Sequence, residues 1–430
     1  MNIVLIGVLM MVVFMAAILS KKVSALTALV VVPVIFGFIA GFGMNTLEYA
    51  VNGILSVNST VALLAFAILY FGVMLCTGLF DPLSGVILRF MKGDPLRVLV
   101  GTVILATLVS LDGDGTTTIM ICCAALLPVY RQLDISRIYL ALFIVLPNGA
   151  INLLPWGGPT ARLMAVMELD SGQLLANLIP IIVVGVLAPL AISIFIGLKE
   201  RKRLGIKGID IKLLSESIGE DRAEFKRPQY IWFNFIMTVI ILLLIIFMGV
   251  PGPLMFALGA CLALAVNYHD IKIQRKVIEY NAEGIVNIVL MIMGAGVLMG
   301  ILSESGMDQA MANALISVIP ESWGKYFTFV LAVISGPAVW LLNNDAFYFG
   351  IFPVLAEAAR TYGFTDMQIG LASLLGQFFR GFSPVVPALY FVCSYVDIEF
   401  SEFQKKAIPM ACISFAVMLV LGAIMGIYAV

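Results

Sequence analysis

One pattern occurs twice in this chain and limits its fold more than any other feature. Leu127-Pro128-Val129 is followed by Gly158-Pro159, and Phe352-Pro353-Val354 is followed by Ser383-Pro384. In both copies the prolines are 31 residues apart, and the copies are offset by 225 residues. Both sit among apolar stretches long enough to cross a bilayer. Proline removes an amide donor and interrupts the helical ladder. A duplicated helix-breaking element at membrane depth points to a secondary transporter.

Composition agrees with an integral membrane protein: hydrophobic residues are 62% of the 430, charged residues 12%, and the mean hydropathy is +1.08. The cysteines, Cys76, Cys122, Cys123, Cys261, Cys393 and Cys412, lie in apolar runs without metal-ligand or disulfide-framework spacing, and read as reduced small hydrophobes. The run 3–19 has no basic residue before it and reads as a first span rather than a cleaved leader.

A bilayer-length ruler finds spans near 3–19, 24–42, 60–79, 138–168, 173–197, 229–249, 251–267, 284–302, 366–396 and 406–428. These make ten crossings. Two further apolar stretches, 98–129 and 327–360, are split by polar tips whose flanking halves look too short to cross comfortably, so both read as re-entrant hairpins. With that choice Lys21, Lys22, Arg89, Lys92, Arg97, Arg131, Arg137, the basic cluster 199–227, Lys272, Arg275, Lys276, Lys405 and Lys406 share one face. The excess of Lys and Arg in cytoplasmic loops puts that face inside and both termini outside, with only Lys325 and Arg360 external.

The expected fold is an all-α polytopic membrane protein of two inverted-topology repeats of five spans, each with a re-entrant hairpin and a broken helix. The first repeat is 1–197, with hairpin 98–129 and broken span 138–168. The second is 229–430, with hairpin 327–360 and broken span 366–396. A solvated cytoplasmic linker, 198–228, joins them. Segments 81–97 and 308–319 read as interfacial helices. His269 reads as a loop residue, and Gly37/Gly41 with Gly296/Gly300 as close-packing pairs.

Polar groups inside a membrane are costly, so their placement carries information. The first tip offers Asp112, Asp114 and the hydroxyls of Thr116, Thr117 and Thr118, with Gly113 and Gly115 permitting close backbone approach. It begins like a calcium loop, but the twelfth position is Cys123 rather than a bidentate Glu. A simple reversing turn is the bland alternative. The second tip supplies Asn343, Asn344 and Asp345. The breaks, at Leu154 to Thr160 and Gly381 to Pro384, bring Gly157, Gly158, Thr160 and Ser383. Half-helix N-termini there attract anions and unwound carbonyls attract cations. A kinked span satisfied by its neighbours is the alternative. The 225-residue offset also pairs Asn152 with Gln377. Arg162 and Arg380 are the only basic residues within spans, each within one turn of a break. They suit bidentate carboxylate recognition, against snorkelling or pairing with a tip aspartate.

The tip from Asp112 to Thr118, the run Leu146-Pro147-Asn148-Gly149-Ala150-Ile151-Asn152-Leu153-Leu154-Pro155-Trp156-Gly157-Gly158-Pro159-Thr160-Ala161-Arg162, and Ala25-Leu26-Thr27-Ala28-Leu29 resemble the citrate-metal:proton symporter (CitMHS) family. The resemblance covers nearly the whole chain. More broadly the chain is similar to the ion transporter superfamily, whose sodium-coupled dicarboxylate carriers have Ser-Asn-Thr at both tips, a pattern this chain lacks. The family resemblance implies proton-driven uptake of citrate complexed with a divalent ion of the Mg or Ca type, with no permanently bound cofactor. The residues at the tips and breaks give a candidate substrate set of Asn148, Asn152, Gly157, Gly158, Thr160, Arg162, Asn343, Asn344, Gln377, Arg380 and Ser383. Asp112, Asp114, Thr116, Thr117, Thr118 and Asp345 are then the metal or proton set. The chain reads as a multi-pass protein of the cell membrane with no nucleic-acid partner, and the superfamily resemblance implies a homodimer.

Moving a charge against the membrane potential costs about 2.3 kcal/mol per 100 mV, so a citrate trianion needs coupling cations. A divalent metal leaves the complex with a single negative charge. Two other functions share the architecture, a carrier of another organic or inorganic anion and a cation:proton antiporter. The antiporter leaves both arginines without a substrate. An enzyme is not expected, since no nucleophile-base set, phosphate loop or nucleotide-binding motif is visible.

Overall fold

The computed structural model describes residues 3–20, 22–79, 82, 87, 90–113, 115–206, 223–317, 321–342, 344–383 and 386–428. Asp114, Asn343, Pro384 and the middle of the linker lie outside these residues. The described chain is helical, with no strand. Eight of its helices are long and apolar enough to cross a membrane, and shorter apolar helices lie between them.

Helix starts follow local chemistry. Asp94, Asp170 and Asp270 each accept a hydrogen bond from a first-turn amide, and so begin Pro95–Val109, Ser171–Leu204 and Ile271–Glu304. Two of these helices run 34 residues, about 50 Å at 1.5 Å per residue. They therefore extend past the apolar stretches that mark them in the sequence. Ser171–Leu204 continues through the basic cluster at Arg201, Lys202 and Arg203, where the sequence suggests a linker.

Among the described residues element order corresponds between the two halves of the chain, apart from Met307–Ile316, which has no described counterpart. Ile3–Leu19 and Ala25–Ile39 stand where Ile231–Met248 and Gly252–Asn267 do. Asn45–Ser56 with Asn58–Thr77, parted at Val57, stand where Ile271–Glu304 does. Each half continues with a hairpin, a broken span and a long helix. The helix Asn45–Ser56 is amphipathic, and a hydropathy ruler passes over it. It crosses Ile271–Glu304 with backbones nearly touching. A Cβ on Gly53 would stand 2.0 Å from the Gly296 carbonyl oxygen, and one on Gly300 would stand 2.2 Å from that of Tyr49. That crossing is what the Gly296/Gly300 pair serves.

The first hairpin consists of Pro95–Val109, a 3-10 turn at Ser110–Asp112, and Gly115–Leu133. The second consists of Phe327–Leu341, which ends at an extended Leu342, and a second arm that is helical from Asn344, π-helical at Ala346–Ile351 and continuous with Phe352–Thr361. In each, the first arm ends beside the polar segment that the sequence marks as a tip. The first hairpin's arms are longer than expected, and Gly115–Leu133 is long enough by itself to cross a bilayer. Pro128 does not break its helix, which runs unbroken through it. Pro353 sits inside the second hairpin's second arm, just after its π-helical stretch, where the helical ladder is already irregular.

The broken spans are Arg137–Ile151 with Gly158–Met167, and Asp366–Leu375 with Gln377–Arg380 and Pro387–Tyr395. Ion pairs gather at one end of the bundle, where Arg137 meets Asp397 at 2.8 Å and Arg201 meets Asp94 at 2.6 Å. At the far end of the first broken span, Arg360 approaches Met167 and pairs with Glu357 and Asp366.

Candidate functional site

Each hairpin tip is fastened to the broken span of its own half by one tryptophan. Trp156, in the first break, donates its indole N–H to the Leu111 carbonyl at 2.8 Å. Trp340, at the end of a second-hairpin arm, donates to the Phe382 carbonyl in the second break at 3.0 Å. The direction is reversed between halves, but the join is the same. Ser383 returns a bond to the Trp340 carbonyl, and Trp156 is stacked on Phe71 with Phe256 edge-on. The first tip turns at Gly113, whose φ of +80° favours glycine. Ser110 ties this tip to the broken span, accepting from the Asn148 amide at 3.1 Å and from Thr118 at 3.3 Å.

The first break is largely self-satisfied. Asn152, at the end of Arg137–Ile151, accepts the Gly158 amide N–H on its side-chain oxygen at 3.1 Å. Thr160 donates to the Leu153 carbonyl at 2.7 Å. Gly157 caps the second half-helix. The chain thus claims with its own side chains two of the backbone groups that a break leaves open.

Arg162 and Asp345 join the halves. The guanidinium Nε donates to Asp345 Oδ1, and Nη1 donates to the Gly158 carbonyl at 2.8 Å. Arg380 makes no hydrogen bond or ion pair with any described residue. Beside it, Gln377 donates through Nε2 to Tyr348 Oη at 3.2 Å. Asn344 is buried, and neither atom of its amide finds a partner among the described residues.

Two cavities adjoin the first tip, and they differ in charge. The first, about 370 Å³, is lined by Thr116, Asn148, Asn152, Gly158, Arg162, Gln377 and Arg380 among others. Its described lining carries two guanidiniums and no carboxylate. The second, about 670 Å³, lies between the tip and the long helix Ile271–Glu304. It is lined by Asp112, Thr116, Thr117, Trp156, Tyr280, Asn281, Glu283 and Asn287, with two carboxylates and no basic side chain. Gly113, Thr116 and Gly158 line both, so the hairpin tip and the start of the half-helix form the wall between them.

Of the residues singled out in the sequence, Asn148, Asn152, Gly158, Arg162, Gln377 and Arg380 therefore meet at the cationic cavity, and Asp112 and Thr117 at the acidic one. Thr118, Thr160, Asn344 and Ser383 are buried and line neither cavity. Asp345 reaches the cationic cavity through Arg162. No group of three or more His, Cys, Asp or Glu side chains able to hold a metal occurs among the described residues. Sequence reasoning passes over Ser110, Tyr348, Trp340 and the polar stripe Tyr280, Glu283 and Asn287, and meets Trp156 only as one residue of the first break. The stripe's spacing of three and four residues is the signal that could have found it.

The family model of the citrate transporters (CitMHS) matches residues 4–376. The chain is 43% identical over 423 residues to a protein of Bacillus subtilis (strain 168) named citrate transporter, covering 98% of this chain and 99% of that one. It is 39% identical over 426 residues to the Mg(2+)/citrate complex secondary transporter of the same organism, covering 98% of each. Among solved structures, the YdaH transporter of Alcanivorax borkumensis superimposes with a TM-score of 0.58 at 10% identity, over 90% of this chain and 88% of that one. MtrF of Neisseria gonorrhoeae does so with a TM-score of 0.60 at 12% identity, over 89% and 84%. These two likenesses concern the fold.

Proposed function

The chain belongs to the CitMHS citrate transporter family, and from that premise we propose that it imports citrate as a divalent-metal complex, coupled to protons, by alternating access. The observation that carries this reading is the meeting of Arg162 and Arg380, one from each broken span, at a cavity whose described lining has no carboxylate. Two planar guanidinium forks suit an anion with several carboxylates. The same feature argues against a cation:proton antiporter, since a cation would meet Arg380, which pairs with no carboxylate among the described residues, beside the Arg162–Asp345 pair.

The metal enters as part of the cargo. The name of the Mg(2+)/citrate relative supports this, as does the acidic cavity beside the tip, where Asp112 offers a hard oxygen ligand. Asp345 is assigned the coupling proton, because a carboxylate already paired with a guanidinium is a poor partner for a metal ion and a good proton acceptor once the cargo takes that guanidinium away. Charge balance fits the scheme: the metal complex bears one negative charge, and two or more protons make the moving charge positive, so the membrane potential assists.

In this reading the halves are inverted repeats of five spans, the hairpins are re-entrant, residues 198–228 lie in the cytoplasm, both termini are external and the carrier is a homodimer of the cell membrane. The shared element order and the ion pairs gathered at one end support that arrangement. The test is uptake of radiolabelled citrate into proteoliposomes with imposed pH gradients. Uptake is expected to need a divalent metal and to rise with an inward proton gradient. Full uptake in the presence of a strong chelator would overturn the metal-complex reading.

A further inference from the structure

Gln377 lies in the wall of the cationic cavity, is only 2% exposed, and stands one helical turn before Arg380. Its amide nitrogen donates to Tyr348 Oη at 3.2 Å. The amide nitrogen is held and the amide oxygen is left over. Gln377 Oε1 is buried and has no partner among the described residues.

A buried acceptor without a donor is unfavourable and is best explained by a donor that arrives with a ligand. Carboxylates bring none. A hydroxyl beside a carboxylate does, and a divalent metal bound to that hydroxyl polarises it into a stronger donor. We propose that Gln377 Oε1 accepts the hydroxyl of a 2-hydroxy acid while Arg380 holds the carboxylate on the same carbon, so that the cavity selects hydroxylated acids over their deoxy counterparts. The proposal rests on the reading of this cavity as the carboxylate site and adds to it what the site reads besides charge. Sites built to bond a substrate hydroxyl discriminate against the analogue without it, because the buried protein group is then left unpaired.

The test compares citrate with tricarballylate, which has the same three carboxylates and no hydroxyl, in proteoliposomes at Mg²⁺ concentrations that saturate both acids. Wild-type protein is expected to favour citrate by about tenfold or more in kcat/KM. In Gln377→Met, of similar length without the acceptor, that advantage is expected to fall to within about twofold. Gln377→Glu keeps an acceptor oxygen, and its preference is expected to persist; it serves as the reading if the Met variant does not insert. A wild type without metal-dependent citrate uptake would count against the transport reading. An active wild type that handles both acids equally, an unchanged preference in Gln377→Met, or a preference lost in Gln377→Glu would overturn the assignment of Gln377.

Discussion

Arg162 and Asp345 are 183 residues apart in the chain, yet the Nε of one lies 2.5 Å from the Oδ1 of the other, and this is the ion pair that bridges the two halves beside the cationic cavity. One edge of the Arg162 guanidinium is thereby spoken for. Arg380 has no such partner among the described residues. The two arginines are therefore unequal: a carboxylate entering the cavity meets Arg380 free, and must displace Asp345 to use Arg162 fully.

The inequality gives a first prediction. Arg380→Lys is expected to raise the KM for citrate about tenfold or more, because the charge remains but the bidentate fork is lost. Arg162→Lys is expected to do the same and also to weaken the tie to Asp345. Concentration dependence of uptake measures both, and unchanged KM values in the two variants would confine the arginines to a structural role.

Asp345→Asn retains the shape of the side chain but cannot take up the proton. The expected result is loss of pH-driven accumulation with citrate exchange across the membrane retained. Asp112→Asn is expected instead to raise the metal concentration that gives half-maximal uptake. Wild-type pH and metal dependence in both variants would count against a metal- and proton-coupled carrier.

The Gly53 crossing is expected to tolerate no side chain. Gly53→Val places methyl groups where the Gly296 carbonyl and the Gly300 backbone already stand, and both obstacles are main chain. Overpacking typically costs about 1–3 kcal/mol, and more when nothing can yield. The variant should fail to give a monodisperse peak after detergent extraction, while Gly41→Ala, which meets no atom within 4 Å but has a positive φ, should show a milder loss.

Trp156→Phe and Trp340→Phe keep an aromatic ring but remove the pyrrole part of the indole with its N–H. Each should lower the midpoint of thermal unfolding in detergent by the equivalent of about 1 kcal/mol or more, the lost hydrogen bond together with the space left by the missing ring atoms. A double variant with additive effects would show the two joins to be independent.

Both tips are legible in the sequence because a polar cluster inside an apolar stretch has few homes in a membrane, and Arg162 and Arg380 stand out for the same reason. Pro128 misleads: its neighbours accommodate the missing amide, and the helix runs on through it. The reach of Ile271–Glu304 is illegible to hydropathy, since Asp270 starts that helix in polar sequence three turns before the apolar stretch begins, and Tyr280 and Glu283 are carried to the acidic cavity on that extension. The Arg162–Asp345 pair and the Tyr348–Gln377 bond are contacts between distant segments, and spacing along a chain carries no record of them.

A hairpin whose tip is pinned to a broken span by an indole bond is not a flap. Lifting either tip alone would strand a tryptophan N–H and a carbonyl where little else can satisfy them. In the proposed alternating access, the movement that exposes Arg162 first to one side of the membrane and then to the other is expected to carry tip and break together, like a drawer rather than a lid, along the surfaces between these paired pieces and the long helices around them.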